Sequence, residues 1–151
     1  MARIVQKFGG TSVADMVRIK AAAATVKREL DDGHQVAVVL SAMVGVTDQL
    51  VGYAAEAGGA HYSSEYDAVL ATGEQVTVGL LALSLQEMGI QARSWLGWQI
   101  PIRTDGVYGK ARIENIETEA LERCLGAGEV PVVAGFQGLG PDGRITTVWQ
   151  Q

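Results

Sequence analysis

Cysteine, histidine and proline are scarce in this chain, and each shortage removes a class of function. A single cysteine, Cys124, excludes an internal disulfide framework and a cysteine-rich metal site. It reads as a small apolar residue on a helix face. The two histidines, His34 and His61, fall near expected loops or helix ends and lack any H-E-x-x-H spacing. Neither a metal site nor a catalytic histidine is therefore expected. Positive charge is short as well, with 12 Lys and Arg against 17 Asp and Glu and a net charge of -5. That balance argues against nucleic acid or anionic membrane as a bulk partner, though it permits a local basic pocket. No uninterrupted apolar run approaches a membrane span, and Met1-Ala2-Arg3-Ile4-Val5 starts a strand and lacks the apolar stretch of a signal peptide. The chain is expected to be cytoplasmic. Its 151 residues, 48% apolar and 19% charged, amount to one globular domain with room for a core.

What the chain has in quantity is glycine, 19 residues against 3 prolines. Arg3 to Phe8 reads as a strand, followed by the turn Gly9-Gly10-Thr11-Ser12 and a helix from Val13 to Leu30. Ser12 and Asp15 have capping-box spacing, and Gly33 stands where a helix C-cap belongs. Val36 to Leu40 is the solid apolar run of a strand covered on both faces. A loop from Ser41 to Thr47 leads to a helix over Asp48 to Ala57, closed by Gly58 and Gly59. Ser64 to Leu70 forms a short helix, and Thr72 with Gln75 opens the next in capping-box spacing. That helix is apolar nearly all round, which predicts burial, and Gly89 ends it. Gln91 to Trp95 is a strand, Gly97 to Gly109 is irregular, and Ala111 to Ile116 is a short strand. A helix from Thr118 to Leu125 ends at Gly126. Val130 to Phe136 is a second apolar strand, and Gly140-Pro141-Asp142-Gly143 turns the chain into a returning strand from Arg144 to Trp149.

Alternating strands and helices predict an α/β layer architecture around a mostly parallel sheet. Right-handed crossovers then put the loops Gly9–Ser12, Ser41–Thr47 and Gly135–Gly138 on one sheet edge, facing one crevice. Lys7 with Gly9 and Gly10 could hold a phosphate through the ammonium and the turn's backbone N–H groups; equally, the turn could be structural, with Lys7 in solvent. Ser41 and Thr47 could bind a polar ligand or cap a helix. Glu74, in the first turn of its helix, suits the dipole there, and could bind a ligand ammonium if it faces the crevice. No Walker P-loop occurs. Gly138, Gly140 and Gly143 match G-x-G-x-x-G, but a strand and no helix follows, so the match is a decoy for a dinucleotide site.

The set Lys7-Phe8-Gly9-Gly10-Thr11-Ser12, Ser41-Ala42-Met43-x-Gly45-x-Thr47, Thr72-Gly73-Glu74-Gln75 and Ala134-Gly135-Phe136-Gln137-Gly138, with Lys110-Ala111-Arg112-Ile113 before the last, closely resembles the aspartokinases. The likeness covers the chain up to Thr147. It implies a three-layer α/β/α sandwich of the amino-acid-kinase type and ATP-dependent phosphorylation of the side-chain carboxylate of L-aspartate, toward lysine, threonine and methionine. By the resemblance, Lys7 stabilises the transferring phosphoryl group, while Phe8, Gly9, Gly10 and Ser41 lie on the nucleotide-phosphate side. Thr47, Glu74 and Gly135 match substrate positions, Glu74 through the substrate amine. ATP brings Mg²⁺ with it, and the carboxylate nucleophile needs no strong base.

In the family a Gly-Arg-Gly-Gly-Ser-Asp type segment follows Thr147 and supplies an arginine and an aspartate; here Val148-Trp149-Gln150-Gln151 stands in that place. Residues 1–151 are thus expected to be the N-terminal portion of a kinase domain, without the later half or the ACT regulatory domains, and with little activity alone. A non-catalytic binding or assembly module on the same fold, or another amino-acid kinase with a related acceptor, fits the same residues. Self-association is expected through an exposed sheet edge near Val130–Phe136 and Arg144–Trp149, giving a homo-oligomer.

Overall fold

The computed structural model describes residues 1–58 and 63–148; Gly59, His61 and Trp149 lie outside them. β1 (Arg3–Phe8) runs through a 3-10 turn (Gly10–Val13) into α1 (Met16–Asp31). Then come β2 (Gln35–Leu40), α2 (Val46–Glu56), α3 (Ser64–Leu70), α4 (Thr72–Glu87) and β3 (Ala92–Trp95). β4 (Ile102–Thr104), β5 (Ile113–Ile116), α5 (Glu119–Gly126), β6 (Val130–Ala134), β7 (Gln137–Leu139) and β8 (Ile145–Thr147) complete the order.

The expected parallel sheet is present, in the order β1-β2-β6-β3. Its β-branched strands alternate between two covered faces, as sandwiched parallel strands must. Val36, Val38 and Leu40 of β2 and Val130, Val132 and Ala134 of β6 pack with Ile19, Ala22 and Val26 of α1 and Val78, Leu81 and Leu85 of α4. On the opposite face, Val39 and Val133 meet Trp95, Cys124, Ala120 and Leu121, so α5 forms the third layer. This is the α/β/α sandwich. Cys124 is buried there, its Sγ donating to Glu129, and burial pushes its thiol up to about 11, which leaves it inert at neutral pH.

A second sheet, which the sequence did not announce, has the order β5-β4-β7-β8. β4 lies inside the stretch read as irregular, and at three residues it is too short for alternation to show. The expected strand over Val130 to Phe136 stops at Ala134, because Phe136 takes a positive φ of 59° and hands the chain to the second sheet. The hairpin around Gly140–Gly143 does form, but between β7 and β8. β6 is interior, flanked by β2 and β3, so it is not the exposed edge expected to drive self-association.

Helix starts differ from the capping-box readings. Asp15, not Ser12, caps α1: its carboxylate accepts from the Arg18 N–H at 2.9 Å, while Ser12 lies in the 3-10 turn. Asp15→Ala is expected to cost about 1 kcal/mol, read as a shift in denaturation midpoint at unchanged m-value, whereas Ser12→Ala should be near neutral. Thr72 does not cap α4; its hydroxyl donates back to the Val69 carbonyl, since α3 runs into α4 through Ala71. α2 begins at Val46 rather than Asp48, and α5 runs to Gly126, with the reversal at Gly128 (φ 80°). α4 is not buried all round, since Val76 and Leu83 are exposed. Ser64–Glu87 is long and apolar enough by composition to cross a membrane, with a mean hydropathy of 1.5, although Glu65, Asp67, Glu74 and Gln75 interrupt its apolar run as the sequence reading had it. Val78, Leu81 and Leu85 of this stretch cover the central sheet, and the stretch also carries two buried acids, Asp67 and Glu74.

Candidate functional site

Register decides where the loops leave the sheet. Phe8 pairs with Leu40, and Leu40 with Ala134, so β1, β2 and β6 end level and their loops emerge side by side. Backbone hydrogen bonds tie those loops together: Ser41 N–H donates to the Phe8 carbonyl, Val44 N–H to that of Gly10, and Gly135 N–H to that of Leu40 at 2.8 Å. The second sheet stands beyond this edge, and β8 packs against α3.

Between the two lies a hollow of about 240 Å³ lined by Thr47, Leu70, Glu74, Gly109, Phe136, Thr147 and Val148. α4 delivers Glu74 to it from its first turn, with only 7% of the residue exposed. Burial raises its carboxyl from 4.5 to about 7, against the pull of its own backbone N–H and of the Gln137 side-chain amide. Thr47 comes from the first turn of α2, which Gly45 (φ 82°) starts sharply. The positive φ of Phe136 turns its ring toward the hollow, and Lys7 Nζ sits 4.8 Å from the ring centroid.

Thr47 and Glu74 are therefore brought together in the hollow, while Lys7 does not line it and meets it only at the ring of Phe136. Gly9, Gly10 and Ser41 sit on the neighbouring rim at the ends of β1 and β2. The Phe8 side chain packs against the core and edges a separate groove with Thr11 and Ser12, so it offers a ligand only backbone. Gly135 is buried at the end of β6; it is the next residue, Phe136, that forms the wall. The arrangement sets a neutralisable acid in a small recess suited to an ammonium, with a cation outside it suited to an anion.

Two buried polar residues that sequence reasoning did not single out hold this recess. Gln137, 1% exposed, donates through Nε2 to the Ala71 carbonyl and accepts from the Gly97 N–H, both at 3.1 Å. Asp67, fully buried, accepts from the N–H groups of Gly109 and Thr147 and from the Thr147 hydroxyl. A readable signal was its distance from Glu74: seven residues, two turns, put both acids on one stripe of an otherwise apolar helical stretch. A larger, more open cleft of about 950 Å³ passes Asp105, Lys110 and Arg112 and shares Val148 with the hollow. Among the described residues, no group of three or more His, Cys, Asp and Glu side chains could hold a metal ion.

Comparison with known proteins gives a consistent picture. A model of the amino acid kinase family matches residues 2–149. The chain is 50% identical to the aspartokinase of Rickettsia felis over 151 residues, covering 98% of this chain and 38% of that protein. It is 49% identical over 148 residues to aspartokinase 2 of Bacillus subtilis, covering 98% of this chain and 36% of that protein. The crystal structure of E. coli aspartokinase III in complex with aspartate and ADP superposes with a TM-score of 0.83 at 26% identity, over 98% of this chain and 43% of that one. The chain thus spans between a third and a half of the length of these relatives.

Proposed function

Since the chain belongs to the amino acid kinase family, we propose that its residues form part of an aspartokinase-type site, transferring the γ-phosphoryl group of MgATP to the side-chain carboxylate of L-aspartate. A carboxylate oxygen attacks phosphorus, the bond to ADP breaks, and 4-phospho-L-aspartate and ADP leave. Magnesium enters as part of the nucleotide substrate, and such a reaction belongs in the cytoplasm. The observation that carries this reading is the recess itself: a buried Glu74 beside Thr47, with Phe136 in its wall and the Lys7 ammonium over the Phe136 ring.

Glu74 takes the α-ammonium of aspartate, and Thr47 offers a hydroxyl to the same molecule. Lys7 neutralises charge on the transferring phosphoryl group, with the N–H groups of Gly9 and Gly10 and the Ser41 hydroxyl toward the phosphates. Catalysis is then positioning and charge neutralisation, which is why no buried histidine or activated thiol is needed. In the aspartokinases that the sequence resembles, the arginine for the substrate carboxylate follows the segment corresponding to Thr147. Such a charge-assisted carboxylate contact is worth about 1.5–3 kcal/mol to substrate binding.

Calorimetric titration of the chain with L-aspartate and with MgATP tests this. Both should bind, and Lys7→Ala should weaken MgATP about tenfold while leaving aspartate within about threefold. Absence of binding by either ligand, or a Lys7→Ala chain that holds MgATP as well as the parent, defeats the reading.

A further inference from the structure

Asp67 is a carboxylate with no direct view of the recess, yet it holds two of the residues that line it. It stands in α3, capped by Ser63, whose side chain accepts from the Tyr66 N–H. Its Oδ2 accepts from Thr147 N–H at 2.7 Å and from Gly109 N–H at 3.0 Å, and its Oδ1 from the Thr147 hydroxyl at 2.9 Å. Gly109 belongs to a turn and Thr147 to an edge strand of the second sheet. β8 is three residues long, and the turn reverses at Gly109 with φ 80°. Other ties hold these segments too: β8 pairs with β7 along its length, Thr146 meets the Thr104 hydroxyl, Arg144 pairs with Glu65 of α3, Ala111 N–H donates to the Thr147 carbonyl, and Val148 N–H to that of Phe136. The carboxylate thus fastens the rim of the second sheet to the helical stretch that carries Glu74, two turns further on.

We propose that Asp67 is a positioning residue for the amino-acid substrate: it sets the distance between the Gly109–Thr147 wall and Glu74, and so the width of the recess. The inference rests on the reading that this recess takes the substrate amine. A carboxylate suits the task because one oxygen can accept from two N–H groups at once, and charge-assisted acceptors are the strong ones. An asparagine can reproduce the arrangement. Its Oδ1 accepts from both N–H groups, and its Nδ2 donates to the Thr147 hydroxyl, which rotates to accept. An alanine leaves two half-buried N–H groups without this partner.

The test compares the parent chain with Asp67→Asn and Asp67→Ala, first without ligand. Amide exchange at Gly109 and Thr147 should quicken about tenfold or more in Asp67→Ala, with Val38 and Val132 in the central sheet unchanged. Asp67→Asn should restore the slow exchange. Calorimetry follows: Asp67→Ala should bind L-aspartate about tenfold more weakly than the parent and Asp67→Asn within about threefold, with MgATP affinity unaltered in both. Unchanged exchange at Gly109 and Thr147, aspartate affinity unmoved by alanine, or an equal fall for aspartate and MgATP overturns the positioning role. If the exchange pattern appears but no variant, the parent included, binds aspartate, the substrate reading fails and takes the substrate half of this inference with it. The wall-holding contact would still stand.

Discussion

Gly138→Ala is expected to destabilise the chain by about 3 kcal/mol or more, and to do so without touching any residue assigned to substrate. A Cβ built there lies 2.5 Å from the Ile102 carbonyl oxygen and 2.6 Å from Thr104 Cγ2. Neither neighbour can yield cheaply. The carbonyl belongs to β4, which pairs with β7, and the Thr104 hydroxyl is buried against that of Thr146 at 2.7 Å. Accommodating one methyl therefore means parting the two inner strands of the second sheet or breaking the Thr104–Thr146 contact. Gly97 meets the same condition from the other side, with a Cβ position 2.5 Å from the Gln137 carbonyl oxygen. Gly79→Ala supplies the control. That glycine is inside α4 with nothing within 4 Å of its Cβ position, so alanine there should stabilise by about 0.5–1 kcal/mol through helix propensity. Urea denaturation of the three proteins reads both signs, and a Gly138→Ala midpoint at or above the parent's would show that β4 and β7 are not packed as described.

The same glycine shows what could be read from the sequence and what could not. Gly138, Gly140 and Gly143 spell a dinucleotide fingerprint, and the absence of a following helix was enough to reject it; the structure gives the glycines a strand, a strand end and a turn at φ 80° instead. The central sheet was legible because β2 and β6 are buried on both faces, so their apolar runs are unbroken. The second sheet was legible only in pieces: β5 and β8 fall within stretches read as strands, but β4 and β7 are three residues long, too short for alternation to show. α4 misled by composition: Val76 and Leu83 are apolar but exposed, so the helix has a buried stripe and not a buried circumference. In the recess, Glu74 and Thr47 stood in recognisable motifs. Phe136 and Gln137 were quoted in one without a role, since their part depends on a backbone reversal and on side-chain contacts that spacing does not encode. Asp67 looked like any acid in the first turn of a short helix, where the dipole alone would account for it.

The pH dependence of both stability and binding should be dominated by Glu74. Its carboxyl titrates near 7 when folded against 4.5 as the ordinary value, so between those two values the native chain holds a proton that the unfolded chain has released. Stability must then fall as pH rises through that window, and the full penalty is present above about pH 7. A difference of about two and a half pH units corresponds to about 3 kcal/mol. Glu74→Gln has no such proton to lose, and its amide oxygen can accept from the Gln137 side chain that otherwise faces the carboxylate. Parent and variant should be about equally stable near pH 4, and by pH 8 the variant should be the more stable by up to about 3 kcal/mol. Parallel stability curves across this range would show that the acid is already ionised at low pH and is not desolvated.

Binding should run the other way, which is the reason to keep a costly acid in the recess. An ammonium entering beside Glu74 favours the ionised form and expels the proton. At about pH 6 each bound aspartate should therefore release close to one proton, and near pH 8.5 almost none, as read by calorimetry in buffers of different ionisation enthalpy. The affinity of the parent for aspartate should rise from about pH 5 to 8, then level off. Glu74→Gln should show no proton release and no slope over that range, and at about pH 8 should bind at least about a hundredfold more weakly, because the ammonium loses a desolvated charged partner. The substitution that gains the most stability is thus the one expected to lose the most affinity. A variant both more stable and equally able to bind aspartate would mean that the amine goes elsewhere.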